Sequence, residues 1–126
     1  MEPKIFYCKH CGNIIVHLKS SGVNVVCCGE PMAALVANTV EASVEKHIPV
    51  VTVEGEKIHV AVGSEEHPMT EKHYIQWIMV VTDKGFQVKH LNWTDKPEAN
   101  FSICKNEKIV EVYAYCNIHG LWVSKK

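Results

Sequence analysis

Arginine is absent from this chain: all thirteen basic residues are lysine, and they face fourteen acidic residues for a net charge of −1. That balance excludes the cationic footprint of a nucleic-acid-binding domain and the polybasic patch of a membrane-surface protein, so no nucleic acid and no membrane is expected as partner. The expected partner is small. Long apolar runs are missing too. Stretches such as Ala33-Ala34-Leu35-Val36-Ala37 fall far short of the roughly 20 residues that cross a bilayer, and the start Met1-Glu2-Pro3-Lys4 lacks the apolar core of a secretory signal. A cytoplasmic location is therefore expected, and in that reducing compartment six cysteines in a short chain argue for metal ligation over disulfides.

What is present fits globular folding: 126 residues, 47% of them apolar, enough for one ordinary domain or a small domain attached to a module too short to build its own core. Tyr7-Cys8-Lys9-His10-Cys11-Gly12 is a Cys-x-x-Cys knuckle, and fifteen residues later comes Cys27-Cys28-Gly29. Four thiolates suit a tetrahedral zinc or a mononuclear iron. A zinc ribbon would carry a second Cys-x-x-Cys. An adjacent pair binds one metal only with distorted S–metal–S geometry, which favours a strained FeS4 centre. Asn13 to Leu18 and Val23 to Val26 read as two short strands around a Ser20-Ser21-Gly22 turn. About 36 residues bury too little apolar surface to fold alone, so the metal is expected to staple this module. His10 and His17 read as surface residues.

From residue 37 onward the pattern changes. A polar stretch from Asn38 to His47 has room for a short helical turn, which Ile48-Pro49 sends into an extended exit. Seven short strand-like runs follow: 50 to 54, 57 to 62, 74 to 82, 86 to 91, 100 to 104, 109 to 115 and 121 to 124. They predict an antiparallel β-sandwich, immunoglobulin-like without its disulfide. Alternation of Ile58, Val60 and Val62 with Lys57, His59 and Ala61 marks one buried face and puts His59 on the other. His90 is similar, and Cys104 reads as a small buried side chain.

Loops and strand ends of the sandwich carry the remaining donors. Cys116-Asn117-Ile118-His119-Gly120 sets a thiolate and an imidazole three residues apart beside a flexible glycine, and two ligands cannot fill a coordination sphere. His47, His67 and His73 are the candidates for the rest. Five protein donors exceed what structural zinc needs and suit iron with one open position.

The blocks Cys8-x-x-Cys11, Cys27-Cys28, Glu45-Lys46-His47-Ile48-Pro49-Val50, His67-Pro68-Met69, Glu71-Lys72-His73-Tyr74-Ile75 and Cys116-Asn117-Ile118-His119-Gly120, in that order, resemble desulfoferrodoxin, the two-iron class of superoxide reductase. The resemblance spans almost the whole chain. It implies an all-β protein: a desulforedoxin-like module over residues 1–36 with an FeS4 centre at Cys8, Cys11, Cys27 and Cys28, then a superoxide reductase sandwich over 37–126. In the second, an iron would be held equatorially by His47, His67, His73 and His119 and axially by Cys116. The implied reaction reduces superoxide to hydrogen peroxide without dismutation. Glu45 resembles the family's carboxylate that approaches the open position after oxidation. Lys46, beside His47, is expected to attract the superoxide anion. Electrons are expected from a rubredoxin-like donor, and the chain is expected to form a homodimer. Two other readings remain: a non-enzymatic iron electron-transfer protein, and a zinc-stabilised interaction domain.

Overall fold

A computed structural model describes residues 3–126; Met1 and Glu2, part of the start read for a signal sequence, lie outside them. The chain divides into two compact units between Val36 and Ala37.

The first unit is made of very short strands: β1 (Ile5–Tyr7), β2 (Ile14–Val16), β3 (Val26–Cys27), β4 (Glu30–Pro31) and β5 (Ala33–Ala34). They form a three-stranded sheet in the order β2-β1-β5 and a separate β3-β4 hairpin. Each hairpin turn carries a cysteine pair. Between β1 and β2, the Cys8–Gly12 knuckle closes through Gly12 N–H to Cys8 O at 3.0 Å and Cys8 N–H to Asn13 O at 2.9 Å, with Gly12 at φ 84°. Between β3 and β4, the two loop residues Cys28 and Gly29 both have positive φ, 53° and 78°, as a type I′ turn requires. Gly adopts that conformation freely, whereas Cys28 does so at a cost of roughly 1–2 kcal/mol. This left-handed residue is how two adjacent cysteines turn their sulfurs to one point. The strand expected from Val23 shrinks to Val26–Cys27, because its partner β4 is only two residues long; beyond it Met32 N–H to Val25 O at 2.8 Å is the last bond between the two segments.

The second unit contains the expected seven strands and one helical turn: α1 (Val44–His47), β6 (Pro49–Glu54), β7 (Lys57–Val62), β8 (Ile75–Thr82), β9 (Gly85–His90), β10 (Glu98–Ser102), β11 (Ile109–Cys116) and β12 (Gly120–Lys125). They form two antiparallel sheets, β10-β7-β6 and β12-β11-β8-β9. Ile58, Val60, Val62, Ala99 and Phe101 of the first meet Ile75, Ile78, Val80, Val112 and Ala114 of the second in one apolar cluster. Burying each such aliphatic side chain contributes about 1.5–3 kcal/mol. Gln87 Nε2 donates to Ser102 O at 2.8 Å, and Lys89 Nζ donates to Asn100 O, so side chains of β9 occupy carbonyls on the open edge of β10.

Cys104 departs from expectation and is exposed. The strand begins and ends two residues earlier than the sequence suggested, and its alternation turns Ala99, Phe101 and Ile103 inward. Residue 104 then faces out.

Antiparallel register brings one end of the sandwich together. Pro49 opposes Val62, Cys116 opposes Ile75, and Cys116 also opposes Gly120, so the segments flanking five strand ends converge. A bulge helps: the pairing passes from Tyr115↔Trp77 to Cys116↔Ile75, leaving Gln76 unpaired and bending the chain just after His73.

Candidate metal centres

In the first unit the four sulfurs of Cys8, Cys11, Cys27 and Cys28 all lie within 4.8 Å of one another, and Cys11 Sγ is 3.6 Å from Cys27 Sγ. A tetrahedron with metal–sulfur bonds of about 2.3 Å has edges of about 3.8 Å, so the cage is of the right size. Asn13 Nδ2 donates to Cys27 Sγ at 3.6 Å. The thiols compete for protons. The Cys11 backbone N–H draws Cys8 down to about 6, while hydrogen bonding with Cys11 pushes Cys28 up to about 12 and also raises Cys27. Four thiolates cannot share this space unaided, and a cation is what makes them compatible. His10 stays outside the cage, 3.1 Å from Glu30, and His17 packs edge-on against Phe6.

In the second unit four imidazoles form a closed square. Ring centroids are 4.6 Å apart for His47–His67, 4.8 Å for His67–His73, 5.0 Å for His73–His119 and 4.9 Å for His119–His47, and each neighbouring pair is nearly perpendicular. His59 and His90 take no part. His59 Nδ1 is instead 2.7 Å from Asn100 Oδ1 on the outward face of its sheet.

Backbone carbonyls assign the protons. His47 Nδ1–H donates to Ser43 O at 2.7 Å and His67 Nδ1–H to Pro68 O at 2.7 Å, so both rings present an Nε2 lone pair to the centre. Those lone pairs face each other at 3.2 Å, and His119 Nδ1 stands 3.1 Å from His47 Nε2. The Nε2 of His73 is buried with no hydrogen-bond partner. Acceptors crowded in this way need a cation. A square of nitrogens about 2.1 Å from a metal has edges of about 3.0 Å, close to those two separations.

Cys116 Sγ lies within 4.8 Å of the donor nitrogens of His47, His67 and His73 and 3.9 Å from His119 Nδ1. The His119 backbone N–H reaches this sulfur at 3.4 Å. Burial pushes the Cys116 thiol up, and that N–H opposes the rise. Burial also holds His47 and His73 below the ordinary imidazole value and takes His67 to about 4, so the rings are neutral and ready to ligate.

Glu45 and Lys46 sit on α1 just before His47, both exposed. The Ser43 hydroxyl beside the Glu45 carboxylate, and then the residue's own backbone N–H, hold Glu45 below the usual carboxylate range.

Two supporting residues were not assigned a role from the sequence. Trp122 packs against the His47 ring at 4.9 Å and donates from Nε1 to His119 O at 3.0 Å, fixing two corners of the square. Its one clue was a large aromatic two residues past Gly120, whose indole N–H needs a partner when buried. Asn117 joins the remaining loops: Tyr74 N–H donates to its Oδ1 at 2.9 Å, its Nδ2 donates to Lys72 O at 2.9 Å, and its own N–H reaches Tyr74 O at 3.3 Å. That links Cys116 to the segment carrying His73.

The sequence matches known families along nearly its full length. Residues 39–125 match Desulfoferrodoxin and residues 2–35 match the Desulfoferrodoxin N-terminal domain. The chain is similar to the desulfoferrodoxin of Nitratidesulfovibrio vulgaris, 45% identical over 96% of this chain and 94% of that protein. It is also similar to the superoxide reductase of Thermococcus kodakarensis, 41% identical over 62% of this chain and 83% of that protein. Among solved structures it resembles the superoxide reductase from Treponema pallidum, with a TM-score of 0.84 and 38% identity over 99% of this chain and 100% of that one. Two family matches in the right order, and relatives covered almost end to end, establish that the chain belongs to the desulfoferrodoxin family.

Proposed function

We infer that this protein is a superoxide reductase that carries two non-haem irons per chain and catalyses O2•− + e− + 2H+ → H2O2 without dismutation. The observation that carries this reading is the square of four imidazoles with one thiol in reach of all four rings. Five donors leave a sixth position free, whereas a structural site closes all of them. Bound ferrous iron supplies the electron and the open position.

The protein's residues supply the rest. His47, His67, His73, His119 and Cys116 hold the iron. Together they bring only one negative charge to a divalent cation, so the centre keeps net positive charge and favours a small anion. Lys46 adds a second positive group next to His47 and draws superoxide in. Glu45 is ionised at neutral pH, because its carboxyl lies below the usual range, and so it is a poor proton donor. Water ordered by Lys46 is the better proton source.

Cys8, Cys11, Cys27 and Cys28 hold the second iron as an FeS4 centre. Its electrons come from a rubredoxin-like donor. Ile118, between two ligands and 55% exposed, and Val44, 58% exposed on the turn carrying His47, offer that donor apolar contact near the catalytic iron. A homodimer is supported by the first unit, where Leu18, Val23 and Val26 stand exposed. The cytoplasm suits six cysteines kept as thiols.

The deciding experiment adds superoxide anaerobically to the chemically reduced protein. Reduction yields one peroxide per superoxide and no dioxygen. Dismutation would yield one peroxide per two superoxides with dioxygen evolved, and an electron carrier would give no fast reaction. Mössbauer spectra of protein matured with ample iron are expected to show two distinct environments. Zinc in both sites would remove the reading.

A further inference from the structure

Six of the seven glycines leave room for a side chain; Gly63 does not. A Cβ at Gly12, Gly22, Gly29, Gly55 or Gly85 meets nothing within 4 Å, and at Gly120 it makes an ordinary 3.5 Å contact with Val40. At Gly63 it would lie 2.5 Å from Glu45 O, 3.0 Å from Ile48 O and 3.0 Å from the Lys46 carbonyl carbon. Every one of these is a backbone atom, so no rotamer change relieves the contact.

Hydrogen bonds hold the two segments together at this point. Glu65 N–H donates to Glu45 O at 2.9 Å, Ser64 Oγ donates to the same carbonyl at 3.2 Å, and Gly63 N–H closes the turn on Glu65 O at 3.2 Å. On one side of the contact, α1 carries His47, oriented through Ser43 O. On the other, the chain runs on to His67, whose N–H donates to Val62 O at 2.9 Å. The Nε2 atoms of these two histidines are 3.2 Å apart.

We propose that Gly63 is a positioning residue for the His4Cys centre: its missing side chain lets the 63–65 turn close on the backbone of residues 45–48, and this closure sets the spacing between His47 and His67. The proposal rests on the reading that these histidines hold the catalytic iron. Non-bonded heavy atoms settle near 3.5 Å, so Gly63→Ala must open the contact by about 1 Å. A ligand set tolerates only about 0.5 Å before its geometry changes. The displacement therefore reaches the metal site and is not absorbed on the way. The same contact fixes the backbone of Glu45 and Lys46, so their direction relative to the open position moves with it.

The test compares the iron-loaded parent with G63A, S64A and G55A. Readouts are the thiolate-to-iron charge-transfer band and EPR spectrum of the oxidised His4Cys centre, its rate of iron loss to a chelator, the melting temperature, and the FeS4 absorption as an internal reference. G63A is expected to move the charge-transfer band and the EPR signal and to weaken iron binding on the order of 10- to 100-fold, as loss of ligand support does, with the FeS4 absorption unchanged. S64A, which removes one hydrogen bond to Glu45 O, is expected to move both in the same direction by less. Gly55 sits at φ 61° with open space around it, so G55A strains the backbone and lowers the melting temperature while leaving both spectra at parent values. A folded, iron-loaded G63A with the parent's band and chelation rate would overturn the proposal, and so would a G55A that reproduces the G63A shift. If G63A does not fold, S64A decides: a shifted band supports the role, and an unshifted one refutes it. A parent whose second iron shows no thiolate charge-transfer band would refute the ligand assignment itself, a result distinct from a normal parent with an unshifted G63A.

Discussion

The two clusters of metal donors are built in opposite ways. Among the described residues of the first unit no strand exceeds three residues, and Cys11 and Cys28 are exposed on the turns. Besides the cysteine cage, the β1-β2 knuckle is joined to the β3-β4 hairpin by the exposed His10–Glu30 pair and by β5, which follows β4 and pairs with β1. In the second unit His47, His67 and Cys116 are buried, and the strands that end at them enclose a continuous apolar core. There the donors are aimed by carbonyls of Ser43 and Pro68, by Trp122 and by Asn117. The first fold is thus expected to depend on its metal, whereas the second fold presets its metal donors. Adjacent donors on a short turn are cheap in sequence and need a cation to organise them. Donors spread over seventy residues need a sandwich to collect them.

Metal removal is the strongest way to break this contrast. Structural metals in modules of this size contribute about 10–16 kcal/mol to folding. Chelation is therefore expected to unfold residues 3–36 while 37–126 keeps native amide protection, as read by hydrogen exchange. Uniform loss of protection across both units would show that the sandwich is equally dependent on metal.

Single ligands come next. Cys11→Ser is expected to lose the FeS4 colour and part of the first unit's stability, yet to keep direct superoxide reduction once the other iron is chemically reduced. Cys116→Ser is expected to abolish efficient turnover with the sandwich folded, because a neutral hydroxyl does not replace an anionic sulfur donor. The reverse outcome, an inactive Cys11→Ser with its second iron in place, would exchange the roles of the two centres.

A smaller effect is expected at Lys46. At roughly 7 Å its attraction for a superoxide anion is about 0.6 kcal/mol in water and about 2.4 kcal/mol at an effective dielectric near 20. Lys46→Ala is thus expected to slow superoxide binding by about three- to sixtyfold, with a flatter salt dependence, in pulse-radiolysis kinetics. A variant matching the parent in both rate and salt slope would take Lys46 out of the mechanism.

A separate effect concerns pH and acts on stability rather than on turnover. Burial lowers His67 from 6.5 to about 4 and shifts His47 and His73 in the same direction. A base whose folded value is depressed binds fewer protons folded than unfolded, so its contribution to stability is whole above about pH 6.5. It is lost as pH falls from 6.5 toward 4. Metal-free protein is expected to lose denaturant stability of the second unit across that window, and the iron-loaded site is expected to survive to a lower pH than exposed histidines would allow. Stability of the metal-free sandwich that does not change between pH 7 and 4 would contradict the buried, neutral rings.

Much of the architecture was legible in the sequence because it rests on local rules. Period-two alternation in Lys57–Val62 named the buried face, Ile48-Pro49 named the exit from the helical turn, and Cys-x-x-Cys and Cys-x-x-His named donors that one turn can aim. Errors arose where pairing decided. Val23 to Val25 lies beyond the two-residue pairing with β4, held there only by Met32 N–H to Val25 O. Cys104 lies one step beyond the last inward residue, Ile103. Neither fact is present in a local window.

By itself, then, the sequence determined the kinds of donor and their number: soft sulfur alone on the early turns, imidazoles and one thiolate on the later loops, because side-chain chemistry needs no fold to be read. Only the tertiary structure decided that His47, His67, His73 and His119 close into a square with the Cys116 sulfur in reach of its corners. It also decided which ring nitrogen each presents, and that Gly63 admits no side chain. These depend on antiparallel register and on backbone carbonyls contributed by residues distant in the chain, and no spacing along the chain encodes a distance across it.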